Sequence, residues 1–419
     1  MPDRRTAASV VFCGTFFFGS ISVGGESFAL QLQYIELLAL AFLALPLVAQ
    51  RGRAAGRVLK VGWASALVAL PAQILYGATA NAGPPSVYLR QTIIYFVYVL
   101  IVATYAAFFF DSQTFVKAFW RVGMTGLILA LAGYALHRLT GLGYFVSVAQ
   151  YGGAFSSAGG APRLTGMLTE PSAWAPVMPA LAFLALQRKA WLALAGVVLG
   201  TVLTGSPTVI LGMFAAVVLV LFTGRGNLAL KSIVVVSAVA LSYVAVGASQ
   251  DRTAYTAIAA SGNTSKIAVG RTLSGLDYIL TGGEYGSNDR AASTEMVARE
   301  VSANGWLYTG RGLGAADVYF PAIASQQGFG RPNALPVVVL FDLGVLGLLA
   351  YLLLVGRAVR AVSRDVAGVV LIPFLVATFI NSAGGIATYK FVLLAVLVHA
   401  FRGGRQKTTW SMPSRTRRC

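Results

Sequence analysis

Residues 335–355 read LPVVVLFDLGVLGLLAYLLLV, an apolar run in which Asp342 is the single charged side chain. An α-helix needs about 20 predominantly apolar residues to cross the hydrocarbon core of a bilayer, and this run is long enough. Similar runs recur along the 419 residues, of which 57% are hydrophobic and only 11% charged. A soluble domain carries about 25% charged residues. The sequence therefore excludes a water-soluble globular enzyme and predicts a helical membrane protein.

Apolar runs bounded by charges, glycine or proline predict about twelve membrane-spanning helices, so the expected fold class is all-α and polytopic. The predicted spans are residues 8–24, 28–48, 61–77, 91–110, 119–137, 172–186, 190–204, 208–223, 232–247, 335–355, 366–382 and 386–401. They divide the chain into three parts. Residues 1–247 hold the first nine spans and an outer segment at 138–171, residues 248–334 form one large outer loop that is partly helical, and residues 335–419 hold the last three spans and a basic tail.

Basic residues are distributed unevenly over the segments between these spans. With the N-terminus inside, about two thirds of the 32 Lys and Arg residues fall in the inner segments and the tail, which the positive-inside rule places in the cytoplasm. Both termini are therefore predicted to be cytoplasmic. Basic loops that face anionic lipid explain the net charge of +18, so the bilayer is an expected partner and nucleic acid is not.

The large loop at 248–334 carries equal numbers of acidic and basic residues, which indicates a small folded cap on the outer face. Within it, Asn288 is placed to cap a helix through AASTEMVAREVSAN. The chain has only two cysteines and two histidines, too few and too far apart for a Cys/His metal site. We therefore expect no metal and no cofactor.

Charged residues at the outer face have both a structural and a chemical interpretation. Arg163 and Glu170 lie directly before a predicted span, either as interfacial residues that start a helix or as an anion site with a carboxylate nearby. Gly310-Arg311-Gly312 has the spacing of a nucleotide-binding loop, but no strand–helix unit surrounds it. Taken alone, this motif indicates a glycine-rich turn.

Three ionisable residues, Glu36, Asp342 and Lys390, fall inside predicted spans. A charged side chain in lipid is costly, so such residues are candidates for function by default. The alternative is structural, with Glu36 or Asp342 pairing with Lys390 to stabilise the fold.

These pieces occur in an order that resembles the O-antigen polymerase and O-antigen ligase superfamily of bacterial envelope glycosyltransferases. The resemblance covers about 163–355 and rests on the order, spacing and membrane side of R-L-T-G-M-L-T-E-P-S before a span, L-T-G-S-P-T in a hairpin, N-D-R followed by a helix and G-R-G-L-G in the large loop, and P-N-A-L-P-V-V-V-L-F-D-L-G-V-L-G-L-L at the next span. It implies a GT-C-like fold in the bacterial inner membrane, with the large loop in the periplasm. It also implies metal-independent transfer from a lipid-pyrophosphate sugar donor.

The resemblance implies roles for individual residues. Arg163 and Arg290 match the arginines expected to hold the donor pyrophosphate, a role that suits a permanent cation able to donate two hydrogen bonds at once. Glu170 and Asp342 are the catalytic candidates for the base that accepts the acceptor proton. Further candidates for binding the substrate are Arg271, Arg311, Arg331, Asn333 and Lys390.

Two positions depart from the family pattern. Ligase-like members have His before the asparagine that is Asn333 here, and many members have Arg after the serine that is Ser206 here. This chain has Pro332 and Pro207 instead. The missing histidine removes the ligase-type candidate for activating the acceptor hydroxyl.

The expected function is polymerisation of undecaprenyl-pyrophosphate-linked oligosaccharide repeat units into O-antigen or exopolysaccharide, with a chain-length regulator and a flippase as partners. The nearest alternative is a ligase that transfers the finished polymer to another acceptor. A twelve-span transporter is a second alternative, but such folds consist of two repeated halves. Here the bulk of the outer segments lies near the end of the chain. A non-catalytic scaffold of an export complex is the third.

Overall fold

The computed structural model of the chain describes residues 3–18, 22–23, 30–79, 96–140, 157–158, 161–162, 164, 166, 168, 171–204, 206, 208–209, 212–213, 289–312, 315–316, 334–363, 365–380 and 386–402. These residues are mostly helical, which confirms the predicted all-α class. In chain order the helices are α1 (Arg4–Phe18), α2 (Leu32–Val48), α3 (Gly52–Thr79), α4 (Phe96–Phe109), α5 (Ser112–Thr140), α6 (Val177–Gln187), α7 (Trp191–Leu203), α8 (Asp289–Ala303), α9 (Leu335–Val362), α10 (Gly368–Ile380) and α11 (Ile386–Arg402).

A short 3-10 helix (Pro171–Trp174) and two short antiparallel pairs of strands also occur among the described residues. Strand β1 (Ser22–Val23) pairs with β2 (Leu30–Gln31), with Ser22 opposite Gln31. Strand β3 (Ser157–Ala158) pairs with β4 (Ala161–Pro162), with Ser157 opposite Pro162. Each strand has only two residues, so these pairs are turns in the connections and leave the fold helical.

Two of the described helices, α5 and α9, are long and apolar enough to cross a membrane by their length and composition. Shorter apolar helices fall where the sequence predicted further spans, namely α2, α4, α6, α7 and α10. The predicted span at 232–247 lies outside the described residues, and that at 208–223 is described at four positions only. The predicted count of about twelve spans therefore stays a prediction.

Helix α5 begins at Ser112, well before the predicted start at residue 119. The cause is a side-chain cap, because Asp111 Oδ2 accepts hydrogen bonds from Thr114 N at 2.9 Å and from Thr114 Oγ1 at 2.8 Å. A cap of this kind satisfies backbone N–H groups that have no partner in the first turn. Hydrophobicity located the apolar part of this helix, whereas the cap determines where the helix begins.

The core is built around α1, which packs against α5 and α2. Aromatic rings fill the space between α1, α4, α5, α10 and α11. The ring of Phe12 stacks on Tyr105 with centroids 4.2 Å apart, and Phe374 stacks on Phe391 at 4.1 Å. Offset aromatic stacking contributes about 0.5–1.5 kcal/mol beyond the buried area. This cluster joins α1 to α10 and α11.

Glycines on α5 make room for one ring of this cluster. A Cβ on Gly126 would lie 3.0 Å from the Phe17 ring, and one on Gly123 would lie 3.2 Å from it. Phe17 is fully buried, so its ring occupies the groove that these two glycines leave on the surface of α5. The close packing of α1 against α5 therefore depends on the absence of side chains at both positions.

Candidate functional site

Helix α9 is interrupted beside its buried carboxylate. Gly344 has φ 67° and ψ −169°, a non-helical conformation inside the helix that is essentially confined to glycine. Asp342 lies two positions earlier and is buried. An interruption of this kind removes backbone groups from the regular helical hydrogen-bond pattern, and those groups need other partners when they are buried.

The partners come from the segment that follows α8. Three backbone hydrogen bonds join residues 307–312 to the interruption: Arg311 N donates to Phe341 O at 2.9 Å, Gly312 N to Asp342 O at 2.7 Å, and Val345 N to Leu307 O at 2.7 Å. We call the two segments, residues 307–312 and 341–345, the loop–helix junction. The loop thus supplies hydrogen-bond partners for backbone groups at the interruption of α9.

Two glycines allow the segments of the loop–helix junction to approach this closely. A Cβ on Gly310 would overlap the backbone carbonyl group of Asp342. A Cβ on Gly344 would overlap the backbone carbonyl group of Tyr308. Gly310 also has a positive φ of 68°, which L-residues with side chains rarely adopt. Both positions therefore require glycine for conformation and for space.

The Asp342 carboxylate faces the loop residues that follow the junction. Its Oδ1 atom accepts a hydrogen bond from Ala316 N at 2.8 Å, and both Ala315 and Ala316 are buried. This bond fixes the orientation of the carboxyl group. The structure thus places Asp342, predicted to be catalytic, where the segment after α8 meets α9.

Arg311 lies on the other side of the same junction. Its guanidinium carbon is 4.8 Å from the centroid of the Trp306 ring, within the range of a cation–π interaction. Trp306 in turn packs edge-on against Phe341, with centroids 6.2 Å apart. Of the residues singled out from the sequence, the structure therefore brings the backbones of Arg311 and Asp342 together, with the guanidinium over Trp306 and the carboxylate on Ala316 N.

Helix α8 packs against the first half of α9 and carries a third candidate, Arg290. Buried Val297 and Val301 form a small core with Val338 and Phe341 of α9. The helix predicted to follow Asn288 is confirmed, because α8 begins at Asp289. Arg290 lies in the first turn of this helix. Its side chain lies outside the described part of the structure.

Lys390 is buried among α1, α2 and α11. Its Nζ atom donates to Glu36 Oε1 at 2.9 Å, to Thr15 Oγ1 at 2.6 Å and to Phe12 O at 2.5 Å. Glu36 Oε2 also accepts a hydrogen bond from Thr15 Oγ1 at 2.7 Å. Of the two pairings considered from the sequence, the structure has the one between Glu36 and Lys390. The predicted role of Lys390 in binding substrate stays a prediction.

The remaining candidates, Arg163, Glu170, Arg271, Arg331 and Asn333, lie outside the described residues. Beside the first of them, Leu164 N donates to Leu203 O at 2.8 Å, which joins the R-L-T-G piece to the end of α7. The Oγ atom of Ser172, which follows Glu170 and Pro171, is buried and has no hydrogen-bond partner among the described residues. Two pieces of the sequence pattern therefore meet here, at Leu164 and Leu203.

Sequence reasoning missed the importance of Gly344, Gly310 and Trp306. The available signal was an Asp-Leu-Gly triplet inside an apolar run, because an acid and a glycine together disfavour an unbroken helix. Within the described residues, no group of three His, Cys, Asp or Glu side chains is placed to hold a metal ion. The sequence matches no protein-family model and no curated protein.

Proposed function

We propose that the protein is a multi-pass glycosyltransferase of the bacterial inner membrane that polymerises undecaprenyl-pyrophosphate-linked oligosaccharide repeat units at the periplasmic face. One observation carries the proposal. Two pieces of the sequence pattern that resembles the polymerases, G-R-G-L-G and the span with Asp342, are distant in sequence and joined by backbone hydrogen bonds in the fold. The backbone segments in contact carry Arg311 and the buried Asp342, and a cation and a carboxylate are the groups that the proposed transfer from a pyrophosphate donor uses.

In the proposed reaction, a hydroxyl at the nonreducing end of one lipid-linked repeat attacks the anomeric carbon of the growing chain. The bond between that carbon and the pyrophosphate oxygen breaks, and undecaprenyl pyrophosphate leaves with the bonding electron pair. Arg163 and Arg290 bind the pyrophosphate and stabilise its developing charge, with Arg311 as a further cation. The acceptor proton passes to Asp342 or Glu170.

The transporter alternative predicts a different use of the interruption in α9. In transporters, the ends of interrupted helices contribute backbone groups to a substrate or ion site. Here Phe341 O, Asp342 O and Val345 N make hydrogen bonds to the backbone of the loop. Because these backbone groups already bind the loop, they are not used for a substrate or an ion as the transporter alternative predicts, and this favours the transferase proposal.

The proposal places the large loop in the periplasm, and reporter fusions test this. An alkaline phosphatase fusion after Gly286 is expected to be active and one after Arg360 inactive, because the reporter needs disulfides that form only in an oxidising compartment. A fluorescent protein fused after Arg360 serves as the control for expression and is expected to fluoresce. The opposite pattern would remove the loop arginines from the periplasmic face.

Purified protein in liposomes is expected to extend undecaprenyl-pyrophosphate-linked repeats in the presence of excess EDTA. The outer segments contain no Asp-x-Asp motif or histidine cluster, and arginines neutralise the pyrophosphate in the proposed site. Gel separation of the labelled lipid-linked product measures chain length, with empty liposomes as the control.

Two results of this assay would contradict the proposal. Activity that disappears with EDTA and returns with magnesium would make Glu170 a metal ligand instead of a base. A product that forms only when a separate acceptor such as lipid A core is added would make the protein a ligase.

A further inference from the structure

The loop–helix junction is held together by backbone atoms and not by side chains. A loop held to a helix by side chains can adopt other rotamers and shift. Here the contact is made by backbone atoms on both sides, with hydrogen bonds of 2.7, 2.7 and 2.9 Å. Backbone atoms have no rotamers, so such a contact fixes the relative position of the two segments.

This contact involves Arg311 and Asp342, two residues to which the proposed function gives a role. Arg311 donates its backbone N–H to Phe341 O, directly before Asp342 in the chain. Gly312 N donates to the backbone carbonyl oxygen of Asp342 itself. Arg311 and Asp342 therefore extend from two backbone segments that hydrogen bonds hold side by side, and these bonds determine the separation of the two backbones.

We propose that Gly310 and Gly344 are positioning residues, which set the distance between Arg311 and Asp342 by allowing the loop and the interrupted helix to meet backbone to backbone. This inference rests on the proposed function, because the reaction that the two charged residues serve is the sugar transfer. Neither glycine has a side chain with which to bind the substrate. Because they have no side chains, the backbone of Asp342 can approach Gly310 and the backbone of Tyr308 can approach Gly344.

An added methyl group at either glycine must separate the two segments. At Gly310 the methyl group would meet the backbone of Asp342, and at Gly344 it would meet the backbone of Tyr308. Backbone atoms cannot rotate away as a side chain can, so the segments move apart. A displacement of about 1 Å at a reacting group costs about 100-fold in rate.

Gly305 provides a matched control in the same loop. Its φ is +70°, close to the values of Gly310 and Gly344, but an added Cβ would meet nothing within 4 Å. Gly305→Ala therefore introduces a side chain at a similar positive φ without the steric contact. The difference between this variant and Gly310→Ala measures the effect of the close approach.

The test measures kcat and KM for lipid-linked repeats in liposomes, per folded molecule, for wild type and three alanine variants. Gly310→Ala and Gly344→Ala are expected to lower kcat about 100-fold and to change KM by less than about 3-fold. Gly305→Ala is expected to stay within about 3-fold of wild type in both constants. Amide hydrogen exchange of the 307–312 peptide gives a readout independent of activity, with slow exchange expected in wild type and faster exchange in the two junction variants.

Several results overturn the inference. A kcat in Gly344→Ala and Gly310→Ala equal to that of Gly305→Ala would show that the close approach does not position the reacting groups. Fast exchange of the 307–312 amides in wild type would show that the junction does not hold the loop. If both variants fail to accumulate while Gly305→Ala accumulates normally, the glycines are structural and the positioning role is wrong. A wild-type protein that forms no polymer overturns the proposed function itself, a result distinguishable from the others.

Discussion

Lys390→Met is expected to lower the free energy of unfolding by about 3–5 kcal/mol, the usual loss when one partner of a buried ion pair is removed. The Lys390 and Glu36 side chains are each only 1% exposed, so the remaining carboxylate cannot reach water. Its neighbour Thr15 supplies a single hydroxyl, which does not replace the ammonium. Equilibrium unfolding of the detergent-solubilised protein by denaturant measures the loss, and Lys117→Met, on an exposed residue of α5, serves as the control.

Removing both charges is expected to restore most of this stability. In Glu36→Leu/Lys390→Met neither charge of this pair remains, and replacement of buried pairs by apolar residues of similar volume is often neutral. Thr15 keeps an acceptor, because Val11 O lies 3.2 Å from its Oγ1 atom. A double variant as unstable as Lys390→Met would contradict this reasoning. It would mean that the hydrogen bonds of Lys390 to Phe12 and Thr15, more than charge balance, stabilise the core.

Arg163→Ala and Arg290→Ala are each expected to reduce polymer formation by at least about 100-fold, the size of effect seen when one group that stabilises developing charge is removed. Arg163→Lys is expected to restore little, because an ammonium does not reproduce the planar guanidinium. Polymer in a complemented deletion strain, normalised to protein in the membrane fraction, provides the measurement.

Arg138→Ala is the matched control for these variants. Arg138 is an exposed arginine in the last turn of α5, close in sequence to the predicted outer end of that span. It has no assigned role and is expected to leave polymer unchanged. Wild-type polymer in Arg163→Ala and Arg290→Ala would mean that both arginines only anchor the chain at the membrane interface, and the roles implied by the resemblance would be wrong.

The apolar helices could be located because each leaves an apolar run in the sequence, and α8 could be located from its capping residue Asn288. Hydrophobicity could not predict the interruption of α9, since the run around Gly344 is apolar apart from Asp342. The conformation of Gly344 depends on a loop that returns from earlier in the chain, and hydrophobicity carries no information on that contact. The start of α5 was missed for a related reason, because Asp111 determines it through a side-chain hydrogen bond.

The candidate site was predictable in its chemistry and only partly in its arrangement. A carboxylate inside a predicted span identified Asp342 as a candidate, whereas the motif around Arg311, taken alone, indicated a glycine-rich turn. The partner of Lys390 was left open between Glu36 and Asp342. Both carboxylates were far away in the chain, and only the packing of α1, α2 and α11 decides between them.

The ion pair between Glu36 and Lys390 also has a consequence for biogenesis. The two residues are 354 positions apart, and at about 5–20 residues per second a ribosome needs about 18–70 seconds to make the intervening chain. Throughout that time α2 exists without the lysine that its carboxyl group binds in the finished protein. Helices α1 and α2 are therefore made well before α11. A nascent chain arrested before residue 390 lacks the hydrogen bonds by which Lys390 joins α11 to α1 and α2.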